Sequence, residues 1–328
     1  MRTRRLSRGL LLTELGFGGA QVGNLFRETT DEEAAGAIAE AWDAGIRYFD
    51  TAPHYGLGLS ERRMGRALAG RPRDEYVLST KVGRLIVPSP ETAGQLDDHG
   101  FAVPAATRRR WDLSPDGIRR SIDDSLGRLG LDRIDIAYLH DPDDHGVDAA
   151  ERAMATLAEL REEGVVGAIG VGMNQSAMPA ELIRRGDLDV VMLAGRFTLL
   201  DQEGLEQLLP LAEERGVGIV AAGVYNSGLL SRDRPSDDAH FDYGPAPASV
   251  RERAVLLAEA CERHGVRLPE AAIQFPLSHP AVVSVVVGLR TAGQVQSSIQ
   301  RMAREIPDAL WRELVDSGLV PSAQRHSA

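Results

Sequence analysis

Apolar residues along this chain come in two alternating textures. Short runs broken by at most one polar residue, such as Ile134 to Leu139, Val190 to Ala194, Gly218 to Ala222 and Val282 to Val287, have the length and composition of buried strands. Between them lie segments with apolar residues at helical spacing, such as Ala34, Ile38, Ala41 and Trp42, or Ile118, Ile122, Leu126 and Leu129. The helical segments carry their own start and stop signals. Thr30 with Glu33 makes a capping box and Gly45 ends the helix it opens, while Ser114-Pro115 sets a cap before a proline at the first helical position.

In chain order the strands are expected at 15–19, 48–50, 76–80, 134–139, 168–171, 190–194, 218–222 and 282–287. The helices that follow them are expected over 30–42, 61–68, 114–129, 149–162, 179–185, 205–215, 250–264 with a second piece at 269–275, and from 291 onward, with a last helix around Trp311. Strict alternation points to a parallel sheet with helices outside, and eight such units in 328 residues fit an α/β (β/α)8 TIM barrel. It reads as one domain over 1–328 with a polar tail at about 321–328. Residues 4–13 alternate around Ser7-Arg8-Gly9 and predict an N-terminal β-hairpin of the kind that plugs the closed end of a barrel. Two stretches, 83–112 and 224–249, hold prolines and no period, so both are expected to be long loops at the C-terminal face, where loops of that length are usually functional. No GxGxxG with an acid about twenty residues later is present, which argues against a Rossmann domain; Gly16-Phe17-Gly18-Gly19 is the nearest approach.

Composition narrows the function. With 43% hydrophobic and 26% charged residues the chain can bury a full core. A formal charge of -11 argues against nucleic acid or an anionic membrane as the main partner, and the basic clusters 2–5 and 108–110 are too short to reverse that. The triplet 108–110 reads as solvated. No apolar run long enough to cross a bilayer and no signal-peptide pattern occurs, so a soluble, cytoplasmic protein is expected. Cys261, the only cysteine, shares a helical face with Ala254, Leu257 and Ala258 and reads as a small core residue. The eight histidines show no metal-ligand spacing, and no metal is expected.

Barrel enzymes keep their chemistry at the C-terminal ends of the strands. Four consecutive strands here end in Asp50, Lys81, His140 and Asn174, which should converge on one mouth. Tyr55 lies on the loop after the first of them, a loop punctuated by Pro53, Gly56 and Gly58. A phenol titrates near 10, too high for easy proton exchange at neutral pH, and an adjacent ammonium lowers that value. Lys81 supplies such a charge and Asp50 holds it protonated. Tyr55 is then the proton donor or acceptor at a substrate oxygen that His140 orients or polarises. With no strong nucleophile in the set, the chemistry left is proton transfer coupled to a cofactor's hydride. A phosphate site is expected at the far end of the chain, where Gly288-Leu289-Arg290-Thr291 opens the helix after the last strand and Arg290 adds a cation to the free N–H groups.

These residues carry a resemblance. The segments Gly45-Ile-Arg-Tyr-Phe-Asp50-Thr-Ala-Pro-His-Tyr55-Gly, the strand ending at Lys81, Ser125-Leu-Gly-Arg-Leu-Gly-Leu-Asp-Arg-Ile-Asp135, His140-Asp-Pro and Gly170-Val-Gly-Met-Asn174 resemble the aldo-keto reductases, over nearly the whole chain. The resemblance implies a catalytic tetrad of Asp50, Tyr55, Lys81 and His140, with Asn174 on the nicotinamide carboxamide and Arg290 gripping the adenosine phosphate end. It further implies a cofactor lining drawn from Gly18, Gly19, Ala20, Asp50, Ala222, Gly223, Tyr225, Gly288, Thr291, Gln294 and Ser298. Tyr55, His140 and Trp111 are the implied substrate contacts. Within the family, the loop after Gly83-Arg84, Trp111-Asp-Leu-Ser114 and His140-Asp-Pro-Asp143 are similar to bacterial dehydrogenases of the L-fucose or D-threo-aldose type, which oxidise the C1 hydroxyl of a cyclic aldose to a lactone. Pyridoxal 4-dehydrogenase shares much of that pattern, and a general NADPH aldehyde or ketone reductase is a further alternative.

The chain also departs from the family. Ala194 and Ala222 stand where many relatives have Gln and a stacking aromatic, leaving Tyr225 as the nearby ring, and Met173 replaces Ser before the amide. Gln294 stands where some phosphate-specific relatives have a second cation, which favours NAD over NADP. Each residue has a plain structural account beside the functional one. Asp50 alone would cap a turn, His140-Asp141-Pro142 would be a strand exit, Arg290-Thr291 would cap a helix, and Trp111, Phe241 and Tyr243 would pin loops; their convergence favours the site. Two other classes stay open at this point: a binding module that senses nicotinamide on the reductase fold, and a cofactor-free lyase forming a Schiff base at Lys81, which Asp50 disfavours by keeping the lysine charged.

Overall fold

Alternate side chains of a strand point to opposite faces, so a closed sheet has an inner and an outer set of residues, and here the two sets have different contents. The computed structural model describes residues 1–242 and 244–322. Strands β1 (Thr3–Arg5) and β2 (Leu11–Thr13) form the expected hairpin. Its Leu6 and Leu12 are buried against the inward residues Tyr48, Ile136, Val190 and Val220, which plugs one end of the barrel. Gly218 makes room for that plug, because a Cβ there would lie 2.4 Å from Leu6 Cδ1.

The rest alternates as expected: β3 (Leu15–Gly18), α1 (Asp31–Asp43), β4 (Tyr48–Asp50), α2 (Leu59–Leu68), β5 (Val77–Val82), then an antiparallel pair β6 (Arg84–Pro88) and β7 (Thr107–Trp111), and α3 (Pro115–Leu129). There follow β8 (Ile134–His140), α4 (Val147–Glu162), β9 (Val166–Met173), α5 (Ala177–Arg185), β10 (Val190–Ala194), α6 (Leu208–Arg215) and β11 (Gly218–Ala222). A short ladder of β12 (His240–Phe241) with β13 (Gly244–Pro245) precedes α7 (Ala248–Arg263), α8 (Leu268–Gln274), β14 (Val282–Gly288), α9 (Ala292–Ala303) and α10 (Asp308–Asp316). The closed barrel runs β10-β11-β14-β3-β4-β5-β8-β9, all parallel. Outward residues such as Phe49, Leu78, Ala137, Leu139 and Val171 make the main core with the helices. The capping box at Thr30 and the caps at Ser114 and Thr291 form as expected. Cys261 is buried in the core, and burial pushes its thiol up to about 12, which leaves it inert.

Three expectations are corrected. The stretch 83–112 is not an aperiodic loop throughout, because Arg84–Pro88 pairs with Thr107–Trp111 as a two-stranded ribbon. Its alternation was hidden because the buried apolar residues, Leu85 and Val87, lie on one strand, while the partner is the basic triplet followed by an exposed Trp111. That triplet is not simply solvated: the Arg109 side chain is buried, paired with Asp97, and donates to His54 O at 2.7 Å. In the stretch 224–249 the pair β12–β13 adds a small ladder that Pro235, Pro245 and Pro247 had argued against. The polar tail beyond residue 322 and Tyr243 lie outside the described residues.

One buried charge ties the second helix to its neighbours. Glu61 is fully buried on α2, accepts from Thr80 Oγ1 of β5 at 2.7 Å, and pairs with Arg128 Nε of α3 at 2.6 Å. Removing one partner of a buried pair leaves the other charge uncompensated. Glu61→Gln is expected to destabilise the fold by about 3 kcal/mol, read as a lowered denaturant midpoint with unchanged slope; an unshifted midpoint would show that the pair is replaceable.

Candidate active site

Period-two alternation decides which strand-end residues meet. Tyr48 and Asp50 on β4, Val77, Ser79 and Lys81 on β5, and Ile136, Tyr138 and His140 on β8 all share the inward parity, and the last inward residue of each strand is Asp50, Lys81 or His140. The ring of Tyr55, from the loop after β4, completes the group. Lys81 Nζ lies 2.7 and 2.9 Å from the two Asp50 oxygens, donates to Thr51 O at 2.9 Å, and is also hydrogen-bonded to the Tyr55 side chain. Ser79 Oγ adds a 2.7 Å bond to Asp50 Oδ1 and contacts Tyr48 OH, which in turn meets Tyr138 OH at 3.0 Å. These four hydroxyl and carboxyl groups form a layer beneath the site. The Lys81 ammonium sits 4.7 Å from the centre of the Tyr55 ring, and that ring stands perpendicular to His140 with centroids 6.1 Å apart.

The electrostatics follow from burial. Desolvation pushes the Lys81 ammonium down, and contact with Asp50 and then Tyr55 more than offsets it, so its pKa is raised and the lysine stays charged. Desolvation pushes Asp50 up, and Lys81 and Ser79 oppose it. The Tyr55 phenol is pushed up to about 12 by desolvation, with Lys81 lowering it and Asp50 raising it. The expected depression of the phenol by Lys81 is therefore not the net result: burial outweighs the ammonium, and Asp50 opposes it further. His140 is held well below the usual imidazole value by burial, then by Arg84 and Lys81, and His54 is pushed down to about 2 by burial, Arg109 and Arg84. Both rings are neutral. The arrangement has one group that exchanges a proton at high pKa, Tyr55, and one neutral ring beside it that can only orient or polarise.

A cleft of about 760 Å³ lies along one side of the mouth. Of the expected cofactor residues, Asn174, Gly223, Tyr225, Gly288, Arg290 and Gln294 line it, and Ala222 ends the strand just before Gly223. Gly18 pairs with Asp50 and Gly288 in the barrel, Gly19 donates its N–H to Asp50 O at 2.8 Å, and Ala20 follows directly. Thr291 caps α9 and Ser298 is buried on it. Gln21 and Asn226 also line the cleft, and the buried Gln21 Oε1 and Asn226 Oδ1 have no hydrogen-bond partner among the described residues. At Gly288 a Cβ would lie 2.1 Å from Gln21 Oε1, so the chain leaves no side chain there. Unmatched amide oxygens beside a close backbone approach fit a polar ligand that offers hydrogen-bond donors, such as hydroxyl or amide groups.

Two placements differ from the simplest expectation. Trp111 is outside this cleft lining; its ring packs on His145 at 4.6 Å and under Arg84 at 4.4 Å. Arg290 does reach the cleft, yet its guanidinium is almost fully buried and donates to Leu25 O at 2.6 Å, Arg27 O at 2.9 Å and Thr29 Oγ1. It ties down the 25–29 segment, which also lines the cleft through Leu25, Phe26 and Arg27. Sequence reasoning missed Ser79, Tyr48 and Tyr138 below the site, though their inward parity was readable, and it missed Arg84, His54 and Asp141 beside it. Among the described residues no His, Cys, Asp and Glu cluster is arranged to hold a metal, and no helix is long and apolar enough to cross a membrane.

A parallel barrel whose open mouth joins a lysine-carboxylate pair, a phenol and a neutral histidine to a polar cleft defines an oxidoreductase of the hydride-transferring kind. Residues 14–317 match the model of the Aldo/keto reductase family, and the chain belongs to that family. It is 50% identical over 317 residues to the D-threo-aldose 1-dehydrogenase of a Pseudomonas species, covering 96% of each chain. It is 38% identical to the pyridoxal 4-dehydrogenase of Microbacterium luteolum, over 95% of this chain and 96% of that one. Among solved structures, the holo form of an aldo-keto reductase from Bacillus halodurans superposes with a TM-score of 0.79 at 28% identity, over 100% of this chain and 99% of the other. The chain is an oxidoreductase whose cofactor class is a nicotinamide dinucleotide.

The role of Arg290 as a tie has a direct test. Arg290→Ala is expected to speed amide hydrogen exchange across residues 25–29 and to weaken nicotinamide dinucleotide binding by about tenfold, a loss of roughly 1.4 kcal/mol. Unchanged exchange in that segment would remove the tie from the account.

Proposed function

We propose that this protein oxidises the C1 hydroxyl of a cyclic aldose, of the L-fucose or D-threo-aldose type, to the lactone. The observation that carries the reading is the Lys81–Asp50 pair set beneath the Tyr55 phenol and across from His140, at the edge of a cleft with unmatched polar atoms. The name of the 50% identical relative supplies the substrate class. Tyr55 takes the proton of the C1 hydroxyl, His140 holds the same oxygen, and the C1 hydrogen leaves as hydride, so the C1–O single bond becomes the lactone carbonyl. When bound, the nicotinamide supplies the hydride acceptor. Asn174 would meet its carboxamide, and Gly288 with the N–H groups at the start of α9 its phosphates, with Tyr225 as the adjacent ring. The retained tetrad and the family place this reading ahead of a non-catalytic nicotinamide sensor, and the saturated Lys81 ammonium counts against a Schiff-base lyase.

The cofactor preference follows from charge. Arg290 has its guanidinium committed to the 25–29 segment and Gln294 is neutral, so the last strand and its helix lean towards NAD, while exposed Arg27 on the same cleft is the cation that a 2′-phosphate would have to use. The second reading is pyridoxal oxidation, which the 38% identical relative favours. Reduced nicotinamide formation with NAD and NADP separately, over L-fucose, D-arabinose, L-galactose, D-glucose and pyridoxal, decides between them. Turnover of an aldose supports the first reading, and turnover of pyridoxal alone replaces it. Silence with every compound would move the search to aldehyde reduction with NADPH.

Two outcomes are expected of the roles. Tyr55→Phe should lower aldose turnover by about 10²–10⁴-fold while leaving nicotinamide affinity unchanged; retained turnover would remove the proton-transfer role. Because the phenol is raised to about 12, its base form is scarce at neutral pH and grows as pH rises. The rate of oxidation, read as kcat/KM, should therefore climb with pH through the alkaline range, and a flat profile would place the base elsewhere.

A further inference from the structure

The side-chain group formed by Arg84 and Asp141 has no assigned part in the reaction, yet it touches the catalytic mouth. Arg84 is the first residue of β6, so it comes from the ribbon and not from the barrel. Its Nη2 donates to Asp141 Oδ2 at 2.8 Å, its Nη1 lies 3.2 Å from His54 Nδ1, and its guanidinium carbon sits 4.4 Å from the centre of the Trp111 ring. A guanidinium has no acceptor, so His54 Nδ1 is the accepting nitrogen and the ring's proton is on Nε2. Asp141 follows the last residue of β8 in the left-handed region, at φ 40, an unfavoured conformation for a residue with a Cβ, and its N–H is fixed on Gly172 O at 3.0 Å. That conformation brings Asp141 Oδ2 to 3.4 Å from His140 Nε2.

We propose that Arg84 and Asp141 are a positioning pair for His140: the carboxylate selects the tautomer with its proton on Nε2, and the guanidinium holds that carboxylate and cancels its charge so that the ring stays neutral. A carboxylate 3.4 Å from one ring nitrogen favours the proton on that nitrogen. Alone it would also favour the doubly protonated ring. Burial is the largest opposition to that second protonation, and the charges of Arg84, Lys81 and Arg109, with neutral His54 beside them, add to it. At 3.4 Å, with no hydrogen bond formed between them, the carboxylate biases the ring's proton through its field, and the neutral imidazole keeps its Nε2–H for the reacting oxygen. The bland account is that the pair only pins the ribbon to the barrel, and the two accounts differ in what happens to the ring. The inference rests on the reading of His140 as the group that holds the C1 oxygen, and its test is independent of turnover.

The test is ¹⁵N spectroscopy of the histidine rings in the free, full-length protein, with His140 identified by the signal lost in His140→Gln. In the wild type the ring is expected as the Nε2–H tautomer with no titration between about pH 5 and 8. In Arg84→Met, with the carboxylate unopposed, the ring should take up its second proton at a higher pH than in the wild type. In Asp141→Asn it should lose the tautomer preference without becoming charged. Arg84→Lys keeps the charge and should restore the neutral ring. With L-fucose or another active aldose, Arg84→Met should lower kcat/KM by roughly tenfold, with Arg84→Lys recovering most of the loss. Wild-type ring signals in both Arg84→Met and Asp141→Asn would overturn the inference and leave the pair a mere pin. An inactive aldose panel with the expected ring signals would instead overturn the substrate reading and leave the pair's role standing.

Discussion

An ammonium group that is 2% exposed survives in a protein interior only against a carboxylate in direct contact, and the Lys81–Asp50 pair is the constraint on which the rest of the mouth depends. Two charges in this position demand that every lone pair and hydrogen be matched. Thr51 O takes an ammonium hydrogen and Ser79 takes the remaining demand of Asp50 Oδ1. Ser79 then needs a partner below it, which Tyr48 supplies, and Tyr48 needs Tyr138. Inward positions that an ordinary barrel would fill with Val or Leu are here given to hydroxyl groups. Below that layer the interior returns to Leu6, Leu12, Ile136 and Val190, where the hairpin closes the end.

The same rule of paired charges extends across the mouth. Arg84 is matched by Asp141 and Arg109 by Asp97, in both cases with the arginine drawn from the ribbon that follows β5. The ribbon is therefore a structural part of the site. It brings two guanidinium groups against His54, one on the ring nitrogen and one on the backbone carbonyl, and both hold that ring neutral. Phe101 and His99 pack against the same ring from the ribbon's far end, with centroids 5.3 and 5.5 Å away. His54 thus links the loop that carries Tyr55 to the insertion, and through its 5.5 Å contact with His140 to β8.

How much of this was legible in the sequence depended on the range of the interaction. Barrel strands and their helices were readable because apolar periodicity and caps are local, and Asp50, Lys81 and His140 were readable because the strand ends where the apolar run ends. Arg290 was legible as a cleft residue, but its partners Leu25 O and Arg27 O lie more than two hundred and sixty positions away in sequence, so no local pattern shows that its guanidinium is engaged. The ribbon failed for a related reason. Its pairing joins Leu85 and Val87 to a run of arginines, and the stability of that strand comes from Asp97, His54 and Trp111 rather than from its own alternation. Asp141 looked like a strand exit before a proline, and only its left-handed backbone turns the carboxylate back toward His140.

The division of labour between the phenol and the imidazole follows from how these environments separate their proton affinities. Burial acts on both, but with opposite sign, since it disfavours phenolate in one case and imidazolium in the other. Lys81 lowers both groups. For Tyr55 it is partly cancelled by Asp50, and the phenol remains high, at about 12; for His140 it adds to Arg84, and the ring goes further down. One group is left with a proton it holds tightly and the other with a ring that accepts none. A site that sets two titratable groups this far apart gives proton exchange to one and orientation to the other by environment. Under the proposed reaction, reversal requires no reassignment, because the proton would leave and return through Tyr55 in both directions while His140 keeps the same hydrogen.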